Sequence, residues 1–402
     1  MPSAVAKTPV TVQFVPFDVY SSTKPDTEDP FRHLAGANSH NHHALHPWGK
    51  HVVDGTDEFD ALYAEANNKY MYHLWYSESL APYMATRVLK IQALSGDVVA
   101  RLQTVLRGVL EQGIDSAMAS DEGKALSASF QTILDDATEG STDPIFVRLG
   151  ATSAKDSFAR GAPTTKPDPL PPSADLVLRR FLTSGRVAGR LLALADGIWP
   201  DDPGEALIVQ RWSPDIELQR EIRVFCCGGR VTAISQDIWW EKAGWRDRYS
   251  QGFVQAITDV WASAKEHVPF DACTMDTLMT PPSGGRPWSA KIIEFNGFGA
   301  HLNTGSDLFH WVRDADVLQG KTPGVTVRFV DDWENSLSMQ DTDTVVASSS
   351  SEAQTLDDEE PDWLVLEKQL QAKYADKGKD SKRIEMEAKA KLPLRGRWCS
   401  AY

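Results

Sequence analysis

Between residues 57 and 136 apolar side chains recur at intervals of three and four. "YMYHLWYSESLAPYMATRVLKI" and "DVVARLQTVLRGVLEQGI" both carry that spacing, which predicts helices with one buried face. After "TEGSTDP" the period shortens to two. "PIFVRLG" (144–150), "DLVLRRFL" and "EALIVQRW" predict short strands, the last two separated by a helix over "GRVAGRLLALADGI". "REIRVFCCGGRVTAISQDI" alternates on both sides of Gly228-Gly229, a dipeptide suited to a two-residue turn, and predicts a hairpin. A helix over "SQGFVQAITDVWASAKE" then leads into a second strand pair, "FDACTMDTLMT" and "SAKIIEFN", joined by the turn-rich "PPSGGRP".

These patterns divide the chain into an irregular segment (1–56), a helical region (57–140), an α+β core (141–335), a linker (336–361) and a tail (362–402). The first segment contains six histidines between His33 and His51, but no helical spacing that predicts a metal site. "DWLVLEKQLQAKY" predicts a terminal helix.

Composition refines this picture only locally. The net charge of −15 is concentrated: residues 331–362 hold eleven Asp or Glu and no Lys or Arg. The last forty residues reverse it, with ten basic against five acidic side chains, as in a solvated extension. The remaining body has no basic stripe for nucleic acid, and no apolar run has the length of a membrane span. Cys226, Cys227, Cys273 and Cys399 follow no metal or disulfide spacing, and the N-terminus has no signal-peptide core, so a cytoplasmic protein is expected.

The candidate chemistry lies on the second strand pair. In "KIIEFNGFG" simple alternation puts Glu294 and Asn296 on one face and Ile293 and Phe295 on the other. "CTMDTLMT" places Asp276 on the preceding strand, where pairing brings it beside Glu294 and Asn296. Two carboxylates and an amide oxygen make a hard-oxygen set suited to Mg²⁺ shared with phosphate oxygens. On the residues alone an alternative stays open: Asp276 faces solvent, Glu294 pairs with an arginine, and Asn296 starts a turn.

"AKIIEFNGFG" followed by "TGSDLFHW" resembles the terminal signature of the cell division cycle protein 123 family. "REIRVFCCGGRVTAISQ" resembles that family's paired strands, "PIFVRLGATSAKDS" its strand and phosphate loop, and "LIVQRW" its hinge strand. The resemblance spans about 144 to 312 and keeps the motif order. It implies an ATP-grasp fold, with two α/β lobes whose antiparallel sheets clasp a nucleotide. It also implies Mg²⁺ ligation by Asp276, Glu294 and Asn296, nucleotide binding by Arg148, Lys155, Glu221, Arg223 and Gln236, and adenine contact by Val209, Gln210, Arg211 and Trp212. Arg148 stands where the family has lysine, and Gly150 to Ala154 replace its Asn-Trp-Ser-Ala-Pro run.

Two functions follow from that resemblance. The ATP and Mg²⁺ residues persist while other features are altered, a pattern expected of an ATP-dependent ligase joining a carboxylic acid, through an acyl phosphate, to an amine in a specialised pathway. In that case Arg223 and Arg148 are the expected catalytic residues and the partners are a small-molecule acid and amine. The alternative is an ATP-binding assembly chaperone for eukaryotic translation initiation factor 2, as in the named family, with a subunit of that factor as partner.

Overall fold

The computed structural model describes residues 9–16, 68–155, 157, 169–195, 203–237, 249–299, 304, 308, 309, 311 and 314–331. Two sheets organise them. The smaller has β4 (Ala206–Arg211) at its centre, antiparallel to β2 (Val88–Ala93) on one side and β3 (Ile145–Leu149) on the other. The larger runs β1 (Val10–Pro16), β9 (Val325–Asp331), β6 (Arg230–Gln236), β5 (Glu221–Cys227), β7 (Ala272–Thr280), β8 (Ser289–Asn296). It is mixed, not wholly antiparallel as expected, because β9 lies parallel to both β1 and β6.

Strand alternation assigns each face of the small sheet a different cover. Ile145, Val147, Leu149, Leu207 and Val209 enter one core with the helices Gly96–Gln112, Asp121–Thr138, Ala174–Leu182 and Gly185–Ala195. The opposite face gives Ala206 and Ile208 to a second core, shared with the large sheet. There the helix Gln251–Ala264 lays Phe253, Ile257 and Trp261 against Val224, Met275 and Phe295. Each such fully buried side chain contributes about 1.5–3 kcal/mol. The two sheets thus share one apolar seam, along which polar groups of both can meet.

Three expected elements are corrected. "YMYHLWYSESLAPYMATRVLKI" is not one helix but the short helix Tyr72–Trp75, a 3₁₀ turn Ala81–Tyr83 and then β2. Pro82 cannot continue a helical ladder, and the residues after it pair with β4. "DLVLRRFL" lies in a helix, Ala174–Leu182. Its buried Val177, Leu178, Phe181 and Leu182 follow a helical stripe, and Arg179 bonds Asp175 one turn back at 2.9 Å. Within the supposedly irregular opening, Val10–Pro16 forms β1. The histidine-rich segment, the acidic linker and the expected terminal helix lie outside the described residues. So does Cys399, while Cys226, Cys227 and Cys273 are free thiols on paired strands. Among the described residues, no helix is long and apolar enough to cross a membrane.

Candidate functional site

The site begins with an irregularity in β8. From Thr280↔Ser289 to Thr277↔Ile292 the β7–β8 ladder is regular; the next pair is Asp276↔Glu294. Ile293 is therefore an extra residue, a β-bulge. An unbroken ladder would have set Glu294 opposite Met275, on the apolar side. The bulge moves it to the other face, directly across from Asp276. Ile292 and Phe295 both enter the core, and Ile293, expected to share the core with Phe295, is only half-buried. Asn296 follows Glu294 by two and stays on the carboxylate face, its amide nitrogen donating to Asp276 Oδ2 at 2.8 Å.

The carboxylate pair terminates a polar row that crosses the whole sheet. Gln13, Arg328, Ser235, Arg223, Asp276 and Glu294 are successive cross-strand partners on all six strands. Arg223 donates from Nε to Asp276 Oδ1 at 2.9 Å and from Nη2 to Oδ2 at 3.1 Å. At the far end Arg328 holds Asp314 with two bonds of 2.6 and 2.8 Å and lies 4.2 Å over the Phe309 ring. Ser235 Oγ accepts from the Leu308 amide at 3.1 Å, tying Leu308 to the same row.

From the small sheet Arg148 reaches across the seam. Its Nη1 donates to Glu294 Oε2, and Lys155 Nζ lies 3.6 Å from Oε1. Arg148 also packs over the Tyr72 ring at 5.3 Å, and Gln210 donates to that tyrosine's hydroxyl at 2.9 Å. Burial raises the pKa of Glu294, but Arg148, Lys155 and Arg186 outweigh it and hold the carboxyl well below the usual range. Glu221 behaves in the opposite way. Burial pushes its pKa up to about 8, Lys155 opposes the rise, and the carboxylates of Asp237, Asp276 and Glu294 add to it.

Gln236, expected beside Glu221 and Arg223, is on the other face. A regular two-residue hairpin continuing from Cys227↔Arg230 would set Gln236 opposite Glu221. Instead the register shifts between Phe225 and Cys226, Thr232 is the extra residue, and Gln236 faces Ile222. Its side-chain oxygen accepts from the Val330 amide at 3.4 Å. Asp237 takes the anticipated place, with Oδ1 at 3.8 Å from Arg223 Nη2.

The expected hinge is also more engaged than its sequence implied. Val209 points into the helical core, and Gln210 shares the face of Arg148. The Arg211 amide donates to the Arg87 carbonyl at 2.8 Å and the Trp212 amide to that of Pro144 at 3.0 Å, so both donors are already used. Arg211 pairs through its side chain with Asp143.

Sequence reasoning missed four contributors: Tyr72, Asp237, Arg190 and Glu205. The last two form a buried pair at 2.9 Å, and Glu205 Oε1 accepts from the Ala151 amide at 3.3 Å, anchoring the start of the loop that carries Lys155. Gly150 begins that loop because a Cβ there would lie 2.2 Å from His73 Nδ1. The only prior signal for Glu205 was an acidic residue at the head of an apolar run, which many exposed strand ends share.

No family model and no curated protein sequence matches the chain. Solved structures do. A C-terminally truncated Cdc123 from Schizosaccharomyces pombe matches at 19% identity and TM-score 0.51, over 67% of this chain and 98% of that one. Cdc123 from the same organism matches at 20% identity and TM-score 0.49, over 66% and 97%.

The fold is Cdc123-like.

The recognition made from "AKIIEFNGFG" and its companion motifs therefore stands at the level of architecture: a divergent Cdc123-like, ATP-grasp-like α+β fold. One expectation is overturned. The truncated Cdc123 structure points away from a ligase, since the family that the sequence resembles is one of assembly chaperones, so the carboxylate–amine ligase and its acid and amine substrates are withdrawn. The guanidinium groups of Arg148 and Arg223 are both bonded to buried carboxylates. Among the described residues no cluster of three or more His, Cys, Asp or Glu side chains could hold a metal ion.

Proposed function

We propose that this chain is a non-enzymatic, ATP-binding assembly chaperone acting in the cytoplasm on a subunit of eukaryotic translation initiation factor 2. The observation that carries the nucleotide half of this proposal is the meeting of two sheets at one polar point: Arg148 of β3 against Glu294 of β8, with Asp276 beside it. The protein-partner half is supported by the Cdc123-like fold.

Arg148 and Lys155 supply positive charge for the phosphates, and Arg223 orients Asp276. Asp276, Glu294 and Asn296 fit Mg²⁺ in donor chemistry: two carboxylates and an amide, with remaining positions left to phosphate and water. Bound there, Mg²⁺ would neutralise phosphate charge. Glu221 and Asp237 add acidic groups behind Arg223, and the Val209–Trp212 strand forms the floor towards which the adenine would extend.

Calorimetric titration with ATP and Mg²⁺ tests the first half, and co-purification with the subunits of the initiation factor tests the second. Saturable binding is expected, with no build-up of ADP on long incubation and with retention of one factor subunit. Steady release of ADP and phosphate would refute the non-enzymatic role. Absence of any ATP-dependent heat or thermal shift would refute the site.

A further inference from the structure

The stretch that carries Lys155 is fastened on both sides to one corner of the helical core. Before Lys155, Glu205 Oε1 accepts from the Ala151 amide at 3.3 Å, while Oε2 accepts from Arg190 Nε at 2.9 Å. After it, the hydroxyls of Ser157 and Thr183 lie 2.7 Å apart. Thr183 already donates its proton to the Arg179 carbonyl at 2.7 Å, so Ser157 is the donor in that pair. Arg190 belongs to the helix Gly185–Ala195, and Thr183 to the short corner between that helix and Ala174–Leu182. One turn before Arg190 is the exposed Arg186. Against the effect of burial, it joins Arg148 and Lys155 in holding the Glu294 carboxyl well below the usual range. The Arg190 and Glu205 side chains are only 4% and 0% exposed. Both charges have lost their water, so such a pair adds little net stability over apolar side chains of similar volume. What it does supply is a fixed geometry between a strand, a helix and a loop.

We propose that Glu205, Arg190 and Thr183 are positioning residues: they lock Ala151 and Ser157 to the helix corner, so that Lys155 and Arg186 meet the nucleotide as one prearranged unit. Glu205 and Arg190 fix the near side of the stretch, and Thr183 fixes the far side. Arg190 and Arg186 share a helix, so the pair that holds Ala151 also sets where Arg186 stands. A stretch ordered before binding needs no further ordering when the ligand arrives, which raises affinity without adding a contact. The inference rests on the nucleotide-binding role proposed above and extends it to side chains that act from behind the site.

Titration of the full chain with ATP and Mg²⁺, alongside thermal unfolding and amide hydrogen exchange, provides the test. Thr183→Val removes the acceptor with little change of shape and should weaken ATP binding about fivefold, whereas Thr183→Ser should bind as the wild type does. Arg190→Met combined with Glu205→Gln removes both buried charges together. It should weaken binding about tenfold while the unfolding midpoint stays near that of the wild type. In the wild-type chain the Ala151 amide should exchange slowly before ATP is added, and no more slowly afterwards. Wild-type affinity in Thr183→Val and in the double variant overturns the inference while the nucleotide site survives. An equal loss in Thr183→Ser also overturns it. So does an Ala151 amide that exchanges freely until ATP arrives, a result that needs no variant to fold. If the wild-type chain binds no ATP, the nucleotide role and the inference fall together.

Discussion

Two hairpins of the large sheet each carry one extra residue, and the consequences are opposite. In β7–β8 the bulge at Ile293 brings Glu294 onto the face of Asp276. In β5–β6 the bulge at Thr232 carries Gln236 away from Arg223 and lets Asp237 approach. One hairpin gains a ligand candidate by its irregularity, and the other exchanges one polar neighbour for another. Counting residues by twos along a strand therefore locates a site only up to the first bulge. Both bulges leave the same trace, core residues three apart: Val231 with Ile234, and Ile292 with Phe295.

The shared strand β5 offers the strongest way to disturb this arrangement, because Arg223 belongs to both hairpins. Arg223→Met would leave Asp276 buried with its negative charge largely uncompensated. We expect a loss of about 3–5 kcal/mol in urea unfolding, with Mg²⁺-dependent ATP binding lost as well. A loss below about 1 kcal/mol would mean that the row is not what holds the two hairpins together.

The next test separates the neighbouring isoleucines. Ile292 is fully buried in the core and Ile293 half-buried on the bulge. Ile292→Ala should cost about 2–5 kcal/mol by denaturant titration. Ile293→Ala should cost about 1 kcal/mol or less, in line with a partly exposed side chain. Equal costs would place both residues in the core and remove the bulge from the account.

Much of this geometry was legible in the sequence. The hairpin at Gly228-Gly229 was fixed by its turn chemistry, and both glycines adopt left-handed φ values of 60° and 71°. The β7–β8 pair followed from alternation and turn chemistry, but the convergence of Asp276, Glu294 and Asn296 depends on the bulge at Ile293, without which Glu294 and Asn296 would face the apolar side. Arg148 pairs with Glu294, the arrangement left open on residues alone, and it does so inside the candidate site. What stayed hidden depended on distant partners. β1 has a clear alternating pattern in "VTVQFVP", but its partner is β9, and Gln13 meets Arg328 from 315 positions further along the sequence. "DLVLRRFL" is too short for its apolar residues alone to separate strand from helix, and only packing against the helical core decides. Glu205, Arg190 and Tyr72 act through contacts between elements, which no local pattern records.

The two buried glutamates give a pH test with opposite signs. The folded-state pKa of Glu294 is depressed, so its stabilising contribution is present above the ordinary carboxylate range and is lost as pH falls. That of Glu221 is raised to about 8, so its contribution is present below the unfolded value and is lost as pH rises through about 8. Stability measured from pH 5 to 9 should therefore decline for the wild-type chain on account of Glu221. Glu221→Gln should flatten the decline and leave the variant the more stable chain at the alkaline end. A slope unchanged by that substitution would remove Glu221 as its source.

The smallest effects belong to the second bulge, and they discriminate most finely. If Thr232 sets the register, Gln236 contributes to packing beside Val330, and Asp237 contributes to the site. Gln236→Leu should then cost about 1 kcal/mol, because the Val330 amide loses an acceptor, while ATP affinity stays the same. Asp237→Asn should weaken ATP binding by about threefold as Arg223 loses one of its orienting charges. The two adjacent substitutions thus move different observables, one the unfolding midpoint and the other the titration. The reverse result, with affinity responding to Gln236 and not to Asp237, would restore the unbulged register, in which Gln236 stands opposite Glu221.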